Sequence, residues 1–411
     1  MTSLSKLLPG AFTRNLRSNI LILALVIIWI GFRLAAPSYW SADNVQNIVP
    51  QMAIIAIMAC GMVFVIVTGG IDLSVGFGAG FVSVVAAAIL YHGLLDEPLT
   101  RMFPDMAPER AEFVVMLVTV FLCLCLGLLM GLFQGTIIAR LGVPPFIVTL
   151  GGMYIFKSGI LLVTQGKSLF ISSNDTYKFI AQGLIAPWLG VVLALIVMAA
   201  LVARVFVARG RKRKYGIELG SLAVDLFKTG LLSALLLGYV LVVNRTFDPT
   251  AEDNVRGVPF LVLILGVIAV LMSYVSSNTR FGRYAYAIGG NREAARLSGI
   301  NIRRVLLSIY VVMGGLMGVS GVALAAYVGA GTTGAGGGYE LDVIAACILG
   351  GTSTLGGEGT VFGAVVGALI IQSLSNGLQM MDVSSNMQYL IKGVVLILAV
   401  LADITLKKKR A

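Results

Sequence analysis

Long apolar runs recur along the whole chain, and they constrain its fold more than any other feature. About 20 consecutive apolar residues are needed to cross the hydrocarbon of a bilayer. Of the 411 residues, 58% are hydrophobic and 12% are charged, against roughly 45–50% and about 25% in soluble domains. The sequence therefore predicts an all-α, polytopic membrane bundle of about 10–12 transmembrane helices, including broken or half-helices. The runs lie at residues 19–36, 50–68, 71–90, 111–138, 146–164, 187–208, 226–243, 258–275, 306–328, 340–356, 359–379 and 386–403.

Three of these runs allow two interpretations. The runs at 71–90 and 340–356 are interrupted by glycines and acidic residues, so each is either a full span or a half-helix. The first run has a basic flank and could be a cleaved signal peptide. Trp29 and Arg33 favour a retained membrane anchor instead.

Basic residues alternate between the short loops, which sets the predicted orientation. If the N-terminus is cytoplasmic, both termini lie inside and the opposite loops hold most of the acids. The formal net charge of +11 is then mainly a topology signal. A nucleic-acid-binding function is not expected, because it needs a basic soluble domain and no loop is long enough. The basic set is Lys6, Arg14, Arg17, Arg140, residues 209–214, 280–304 and 407–410, and the acidic set is Asp96, Glu97, Asp105, Glu109, Asp248, Glu252 and Asp253.

The sequence predicts no catalytic residue, no metal site and no cofactor bound by this chain. His92 is the single histidine and is expected just beyond a span. Residues 166–168, Gly-Lys-Ser, have the ending of a nucleotide-binding P-loop, but Leu161 stands where that loop requires glycine. The cysteines lie in apolar runs with neither disulfide nor metal-ligand spacing, and they are Cys60, Cys123, Cys125 and Cys347.

Three glycine-rich stretches interrupt the spans, at residues 69–76, 329–338 and 350–359. Broken helix is tolerated in a membrane only where protein or a water-filled cavity covers it. Glycine-interrupted segments in both halves of a transporter point to its translocation path. The alternative is that the glycines only allow helices to pack closely. Taken together, the three stretches favour a path.

Two acids lie beside these breaks, Asp72 and Asp342. An ionisable residue within a span usually faces a bundle interior or a cavity, which predicts a polar lining or a gate contact. The structural alternative is a carboxylate that caps a helix N-terminus, and Asp72 stands at such a helix start. Lys157 and Lys392 also lie in or near spans, and we expect both to extend to the membrane interface.

A short helix is predicted outside the membrane at residues 291–299. Asn291 is a good N-cap, and Gly299 suits the position after a helix end. A helix of about two turns is marginal by itself, so it should pack against something. A partner protein and the chain's own membrane domain both remain open. Its apolar residues are Ala294, Ala295 and Leu297, and its charged residues are Arg292, Glu293 and Arg296.

Four segments resemble the permease subunits of bacterial ABC sugar importers of the ribose/xylose/galactose family. The resemblance extends from about residue 45 to the C-terminus, and the four motifs together are specific. They are GMVFVI at 61–66 with IDLSVG at 71–76, PFIVTLG at 145–151, YAIGGN at 286–291 with AARLSGI at 294–300, and LDVIAAC at 341–347 with GGTS at 350–353.

Within that family the chain is most similar to xylose-type and multiple-monosaccharide permeases, which are longer than ribose-type members. The extra length corresponds to a hairpin at 187–243, and the ending NGLQMMDV at 376–383 is also similar to the xylose type. Gln134 departs from the family pattern Gly-x-x-Asn-Gly, although it keeps a side-chain amide.

The resemblance implies a single transmembrane permease domain over 1–411, with a cytoplasmic coupling loop at 276–305. It implies a multi-pass protein of the bacterial inner membrane, in contact with lipid, that pairs with a second permease, identical or related. Two cytoplasmic ABC ATPase subunits would use ATP, and a periplasmic binding protein would deliver xylose or a related pentose or hexose. The residues expected to couple to the ATPase are Asn291, Arg292, Glu293, Ala294, Ala295, Arg296, Leu297, Ser298 and Gly299. The candidate translocation path comprises Asp72, Ser74, Gln134, Thr149, Asp342 and Thr352.

Two other classes of protein compete with this interpretation. An ion-coupled secondary sugar transporter would explain the broken spans, with Asp72 and Asp342 as ion ligands. It does not explain the capped helix at 291–299. An intramembrane enzyme would need a nucleophile or a metal cluster, and the sequence shows neither.

Overall fold

The computed structural model describes residues 16–171, 174–216, 221–244 and 257–408. Some of the charged residues from which the orientation was predicted lie outside these ranges. The charged residues that lie outside the described residues are Lys6, Arg14, Asp248, Glu252, Asp253, Lys409 and Arg410.

The described chain is almost entirely helical, with four two-residue strands. Its first half contains α1 (Leu16–Ala35), a 3-10 turn (Pro37–Trp40), α2 (Ala42–Val67), α3 (Val75–Tyr91), α4 (Asp96–Met102), α5 (Pro108–Arg140), α6 (Pro145–Thr164), β1 (Leu169–Phe170), α7 (Asp175–Gln182), β2 (Leu184–Ile185) and α8 (Pro187–Lys214). Its second half contains α9 (Leu222–Asn244), β3 (Val258–Pro259), α10 (Phe260–Asn278), α11 (Arg280–Gly290), α12 (Arg292–Leu297), α13 (Ile302–Val328), β4 (Ala330–Gly331), α14 (Tyr339–Leu349), α15 (Val361–Met380) and α16 (Ser385–Lys408).

Each predicted apolar run contains a helix, and eight of the described helices are long and apolar enough to cross a membrane. The count becomes nine if α3 and α4, which meet at a bend of 54°, form one span. The protein is therefore a polytopic helical membrane protein, as the sequence predicts. The eight are α2, α5, α6, α8, α9, α10, α13 and α15.

The two interrupted runs contain helices shorter than a full span. α14 has 11 residues, about 16 Å at 1.5 Å per residue, and cannot cross about 30 Å of hydrocarbon alone. α3 begins at Val75, because the residues after the glycine pair at 69–70 form a non-helical segment. The half-helix interpretation is confirmed for 340–356, where the glycines that flank α14 on both sides end the helical hydrogen bonding.

Contacts within the chain define two compact units. The first comprises residues 1–47 and 184–259, and the second comprises 48–183 and 260–411. In the first unit, α8 and α9 form a hairpin in which Arg209 Nη1 lies 2.7 Å from Asp225 Oδ2. Asn244 Nδ2, at the far end of α9, donates to the Pro187 carbonyl over 3.1 Å. These two contacts fix an antiparallel pair of helices.

Small residues bring the helices of the second unit into backbone contact. α13 packs along α5, and an added Cβ at Gly127 would collide with the Gly314 carbonyl oxygen. Gly131 lies equally close to the Tyr310 carbonyl. Such small-residue interfaces are typical of membrane helices, which lack a hydrophobic driving force for association. The result is a densely packed core around α2, α3, α5 and α13.

Two antiparallel strand pairs close the ends of helices. In the second unit, Leu169 of β1 pairs with Gly331 of β4, so the ends of α6 and α13 lie on the same side. In the first unit, Leu184 of β2 pairs with Pro259 of β3. Each pair satisfies backbone groups where a helix stops.

Candidate functional site

The predicted helix at 291–299 is confirmed as α12, and its two ends are stabilised as predicted. Asn291 Oδ1 accepts a hydrogen bond from the Ala294 N–H over 2.9 Å. Gly299 adopts φ +81° after the helix, which is a conformation that favours glycine. Asn291 also ends α11, so α11 and α12 meet at this one residue.

Only one side chain of α12 packs inward. Ala295 is buried, whereas Leu297 is 75% exposed, and all other residues from Asn291 to Gly299 are exposed. Glu293 and Arg296 form an exposed i,i+3 ion pair, and Arg296 Nε lies 3.0 Å from Glu293 Oε2. These hydrogen bonds raise the pKa of the Arg296 guanidinium. α12 thus rests on its own domain through Ala295 and presents an apolar and a charged surface outward.

α11, which the sequence analysis missed, connects α12 to the broken spans. Thr279 Oγ1 accepts from the Gly282 N–H over 3.3 Å and caps the helix. Tyr286 Oη lies 3.0 Å from Ser276 Oγ and donates to the Gly359 carbonyl over 2.8 Å. The missed signal was Thr279, which is a favourable N-cap directly after an apolar run.

At the end of α11 the backbone of Gly289 packs directly against α2. An added Cβ at Gly289 would collide with the Val67 carbonyl oxygen, at the last residue of α2. The same carbonyl accepts from the Gly357 N–H over 2.9 Å, and Gly357 has φ +76°. We call Val67, Tyr286, Gly289, Gly357 and Gly359 the inner junction. It ties α11 to α2 and to the glycine-rich stretch at 350–359.

Four of the candidate path residues come together in a second place, which we call the buried serine cluster. Ser74 is its centre, because its backbone N–H and its hydroxyl both donate to Asp72 Oδ1, over 2.9 and 2.6 Å. Gln134 Nε2 of α5 donates to Ser74 Oγ over 2.9 Å. Thr149 Oγ1 of α6 lies 3.2 Å from the Ile71 carbonyl oxygen. All four side chains are fully buried.

This geometry refines the two interpretations of Asp72. The carboxylate bonds to Ser74, the residue before α3, and therefore closes the turn ahead of the helix rather than capping its first turn. Asp72 Oδ2 and Tyr310 Oη have no hydrogen-bond partner within the described residues. A buried carboxylate with one oxygen unpaired is costly. At Gln134, the departure from the family pattern is accommodated because its amide reaches Ser74.

Asp342 and Thr352 make their contacts outside that cluster. Asp342 Oδ2 accepts from Lys392 Nζ of α16 over 2.9 Å. Lys392 therefore forms an interhelical ion pair, which the sequence analysis did not predict. Thr352 is fully buried beside Gly359, where an added Cβ would lie 2.8 Å from Thr352 Cγ2. Lys157 is exposed, and its Nζ lies 5.5 Å from the centroid of the Phe77 ring.

A third group of polar side chains, formed by Gln51, Tyr327 and Gln372, was not predicted from the sequence. Gln51 Nε2 of α2 donates to Tyr327 Oη of α13 over 2.8 Å, and Gln372 Nε2 of α15 donates to Gln51 Oε1. No local pattern signals such a pair, because the two glutamines are far apart in sequence. Among the described residues, no three His, Cys, Asp or Glu side chains form a group suited to a metal ion.

Comparisons with known proteins agree with the four motifs. Residues 44–400 match the family described as "Branched-chain amino acid transport system / permease component". The xylose transport system permease protein XylH of Haemophilus influenzae is 38% identical over 96% of this chain and 98% of its own length. XylH of Escherichia coli is 36% identical over 97% and 95%. The ribose import permease protein RbsC of Haemophilus influenzae is 30% identical over 98% and 96%.

No solved structure matches the chain. The family match covers most of the described helices, and the alignments with the relatives cover nearly the full length of each relative. The resemblance to xylose-type permeases, first seen in the motifs, is thus confirmed over the whole chain. This chain belongs to the permease family of bacterial ABC importers that its motifs predict.

Proposed function

We propose that this chain is the permease subunit of an ATP-driven importer that moves a monosaccharide, xylose or a related pentose or hexose, across the bacterial inner membrane. The observation that carries the proposal is the exposed, capped helix α12 and its connection through α11 to the inner junction. Leu297 and the charged residues of α12 are exposed and therefore available to a partner. The names of the similar permeases support a sugar as the substrate.

The partners follow from this assignment. Two cytoplasmic ATPase subunits dock on the transporter, one on α12 of each permease, with Leu297 entering an apolar pocket of the ATPase and Glu293 and Arg296 at its rim. The ATP is bound and hydrolysed by those subunits, and this chain binds no cofactor. A periplasmic binding protein delivers the sugar. A second permease, of the same or a related sequence, completes the channel. The whole chain, 1–411, acts as one permease domain with 276–305 as its coupling loop and 187–243 as an added hairpin.

The orientation proposed from the charges places both termini in the cytoplasm. Val67, Gly289 and Gly357 meet at one place, as expected if the loops after α2, α10 and α14 share the cytoplasmic side. The ends of α6 and α13 meet through β1 and β4, as expected for the periplasmic side. Lys and Arg in the loops near Gly289 agree with the positive-inside rule.

The inner junction would transmit the motion of the ATPase. When the ATPase pair closes, it displaces α12, and α11 moves with it because Asn291 joins the two. Gly289 is in backbone contact with Val67, so the end of α2 must follow. The segment that follows Val67 leads directly to the buried serine cluster, where Asp72, Ser74, Gln134 and Thr149 would line the path or hold it closed.

The experiment is uptake by proteoliposomes that contain the chain with its ATPase, with the periplasmic binding protein added last. We expect sugar uptake to require both internal ATP and the binding protein. Competition by unlabelled xylose, ribose and leucine would separate a sugar from the amino acid substrate named in the family description. Uptake that leucine blocks and xylose does not would contradict the substrate assignment.

The same preparation tests the ion-coupled alternative. Asp72 Oδ2 has no hydrogen-bond partner among the described residues and could therefore bind an ion. An ion-coupled transporter would take up sugar without ATP and lose uptake when an uncoupler collapses the gradient. Uptake that persists under the uncoupler and disappears without ATP excludes it. Asp72 and Asp342 would then be path or structural residues rather than ion ligands.

A further inference from the structure

Polar and aromatic side chains from five helices meet near the start of the half-helix α14. Gln51 of α2 bonds to Tyr327 of α13 and to Gln372 of α15. Asp342 of α14 bonds to Lys392 of α16. Tyr339 begins α14, three residues before Asp342, and the residue before it, Gly338, packs against Tyr389 of α16. The polar–aromatic cluster is defined as Gln51, Tyr327, Tyr339, Asp342, Gln372, Tyr389 and Lys392.

These residues lie beside non-helical backbone. Gly338, with φ +84°, precedes α14 at the end of the glycine-rich stretch 329–338. Tyr389 covers it, because an added Cβ at Gly338 would lie 3.4 Å from Tyr389 Cε1. Non-helical backbone within a membrane is stable only where protein or a water-filled cavity covers it. In transporters, discontinuous helices of this kind border the substrate site.

We propose that the polar–aromatic cluster is a contact site for the transported monosaccharide, an inference that rests on the proposed function. A sugar ring carries hydroxyl groups that donate and accept, and it has apolar C–H faces. The amides of Gln51 and Gln372 can both donate and accept, and the Asp342 carboxylate accepts. The tyrosine rings offer apolar faces with a polar tip. The charge of Asp342 is compensated by Lys392, so the site suits an uncharged polyol.

The contacts in the present structure also explain why the site need not be an open cavity. Gln372 and Asp342 are each 7% exposed, and the amides satisfy one another. Each hydrogen bond of the cluster joins two different helices, so the bonded groups separate when the helices move apart. Hydrogen bonds between the amides are then exchanged for bonds to sugar hydroxyls, with little net change in their number. A site of this kind binds weakly.

The competing explanation is that the cluster only holds the helices together, since polar side chains also bond across membrane helices. A structural role predicts that a change at Gln372 affects folding, uptake and ATPase activity together. A sugar contact predicts a different result. Uptake falls, while ATPase activity stimulated by the loaded binding protein remains, because α12 and the inner junction are intact.

The first test uses the complete transporter in proteoliposomes, with D-xylose as the probe. The variants are Gln51→Leu and Gln372→Leu, with Ser375→Ala as the matched control on α15, because Ser375 Oγ bonds only within its own helix, to the Ile371 carbonyl. We expect each Leu variant to lower uptake about tenfold, the factor that corresponds to losing about one hydrogen bond to the sugar. Stimulated ATPase activity stays near that of the unchanged protein, and Ser375→Ala transports normally. Unchanged uptake in both Leu variants would overturn the proposal.

The second test does not depend on the stability of those variants. Tyr389 is 59% exposed, so Tyr389→Cys places a reactive thiol at the edge of the cluster, with the unsubstituted chain as background. In the first format, maleimide labelling is measured in the assembled transporter during ATP turnover, with binding protein that is either loaded with D-xylose or empty. In the second format, labelling is measured with D-xylose alone at about 100 mM, well above a Kd of about 1 mM. We expect xylose to slow labelling in both formats. Equal labelling in all conditions, together with parallel loss of uptake and ATPase activity in the Leu variants, would establish a structural role.

The two levels of the hypothesis fail in different ways. If the unchanged protein shows no ATP-dependent sugar uptake, the proposed function is wrong. If it transports D-xylose while the Leu variants keep full uptake, the function stands and the contact site is wrong.

Discussion

The inner junction and the polar–aromatic cluster both lie beside glycine-rich breaks in the second unit, yet they are built from different groups. At the inner junction, Gly289 and Gly357 contact the Val67 carbonyl through backbone atoms, and Tyr286 adds one side-chain hydrogen bond to the Gly359 carbonyl. In the polar–aromatic cluster, long side chains such as Gln51, Gln372 and Lys392 make the contacts. Backbone contacts have no rotamers to absorb a displacement, whereas side-chain contacts can exchange partners. The first arrangement suits the transmission of motion, and the second suits a passing solute.

The largest expected effect lies at α12, upstream of the inner junction. Glu293→Lys reverses a charge and Leu297→Asp places a charge at the exposed apolar residue of the helix, so both should disrupt docking of the ATPase. We expect sugar uptake to be abolished in each while membrane insertion remains normal. Uptake and sugar-stimulated ATPase activity in proteoliposomes are the measurements. Unchanged stimulated ATPase activity in both variants would reject the docking assignment for residues 291–299.

A smaller effect is expected within the inner junction at Tyr286. Tyr286→Phe removes the hydroxyl that bonds to Ser276 and to the Gly359 carbonyl, at a cost of about 1–2 kcal/mol. Uptake should fall several-fold, since the 350–359 stretch loses one of its contacts with α11. Tyr284→Phe, at a more exposed ring on the same helix, is the control and should transport normally. Equal uptake in the two variants would remove Tyr286 from the transmission route.

The buried serine cluster could either transmit motion, like the inner junction, or contact the sugar, like the polar–aromatic cluster, and two variants distinguish these roles. Asp72→Asn keeps an oxygen for the Ser74 hydrogen bonds, so the local fold should survive and uptake should fall if Asp72 faces the sugar path. Gln134→Leu should lower stability by about 1–3 kcal/mol, since it leaves Ser74 without its amide partner. Thermal unfolding and uptake are measured together, with Ser83→Ala on α3 as the control. Normal uptake by Asp72→Asn with only a lower Tm would show that its role is structural.

The smallest effect is expected in the hairpin of α8 and α9. Asp225→Asn breaks the ion pair with Arg209. The Arg209 side chain is 20% exposed and the Asp225 side chain is 44% exposed. A pair exposed to this degree contributes no more than about 1 kcal/mol. We expect a small decrease in Tm and unchanged uptake. A strong loss of transport would show that the hairpin takes part in the motion.

The sequence predicted the features that depend on local chemistry. Apolar length located the spans, and Asn291 and Gly299 marked the ends of α12, because capping is decided by neighbouring residues. The glycine-rich stretches correctly indicated the half-helix α14. The motifs identified the family, which the full-length similarity then confirmed.

The remaining features depend on contacts between residues distant in sequence. Lys392 was expected at the interface because side-chain length alone favours that position, and the ion pair with Asp342 became visible only once α14 and α16 were placed together. The bond between Gln51 and Gln372 joins residues 321 positions apart. α11 was missed because an 11-residue amphipathic helix gives a weak signal beside long apolar runs.

The most direct test of the central claim is the number of sugar molecules transported per ATP hydrolysed in Gly289→Ala and Gly290→Ala. An added Cβ collides with the Val67 carbonyl at Gly289, whereas at Gly290 it meets no atom within 4 Å. We predict that Gly289→Ala keeps substantial ATPase activity but loses most of its uptake, so that the ratio falls sharply, and that Gly290→Ala keeps the normal ratio. The same ratio in both variants would contradict the claim that the inner junction couples the ATPase to the transport path.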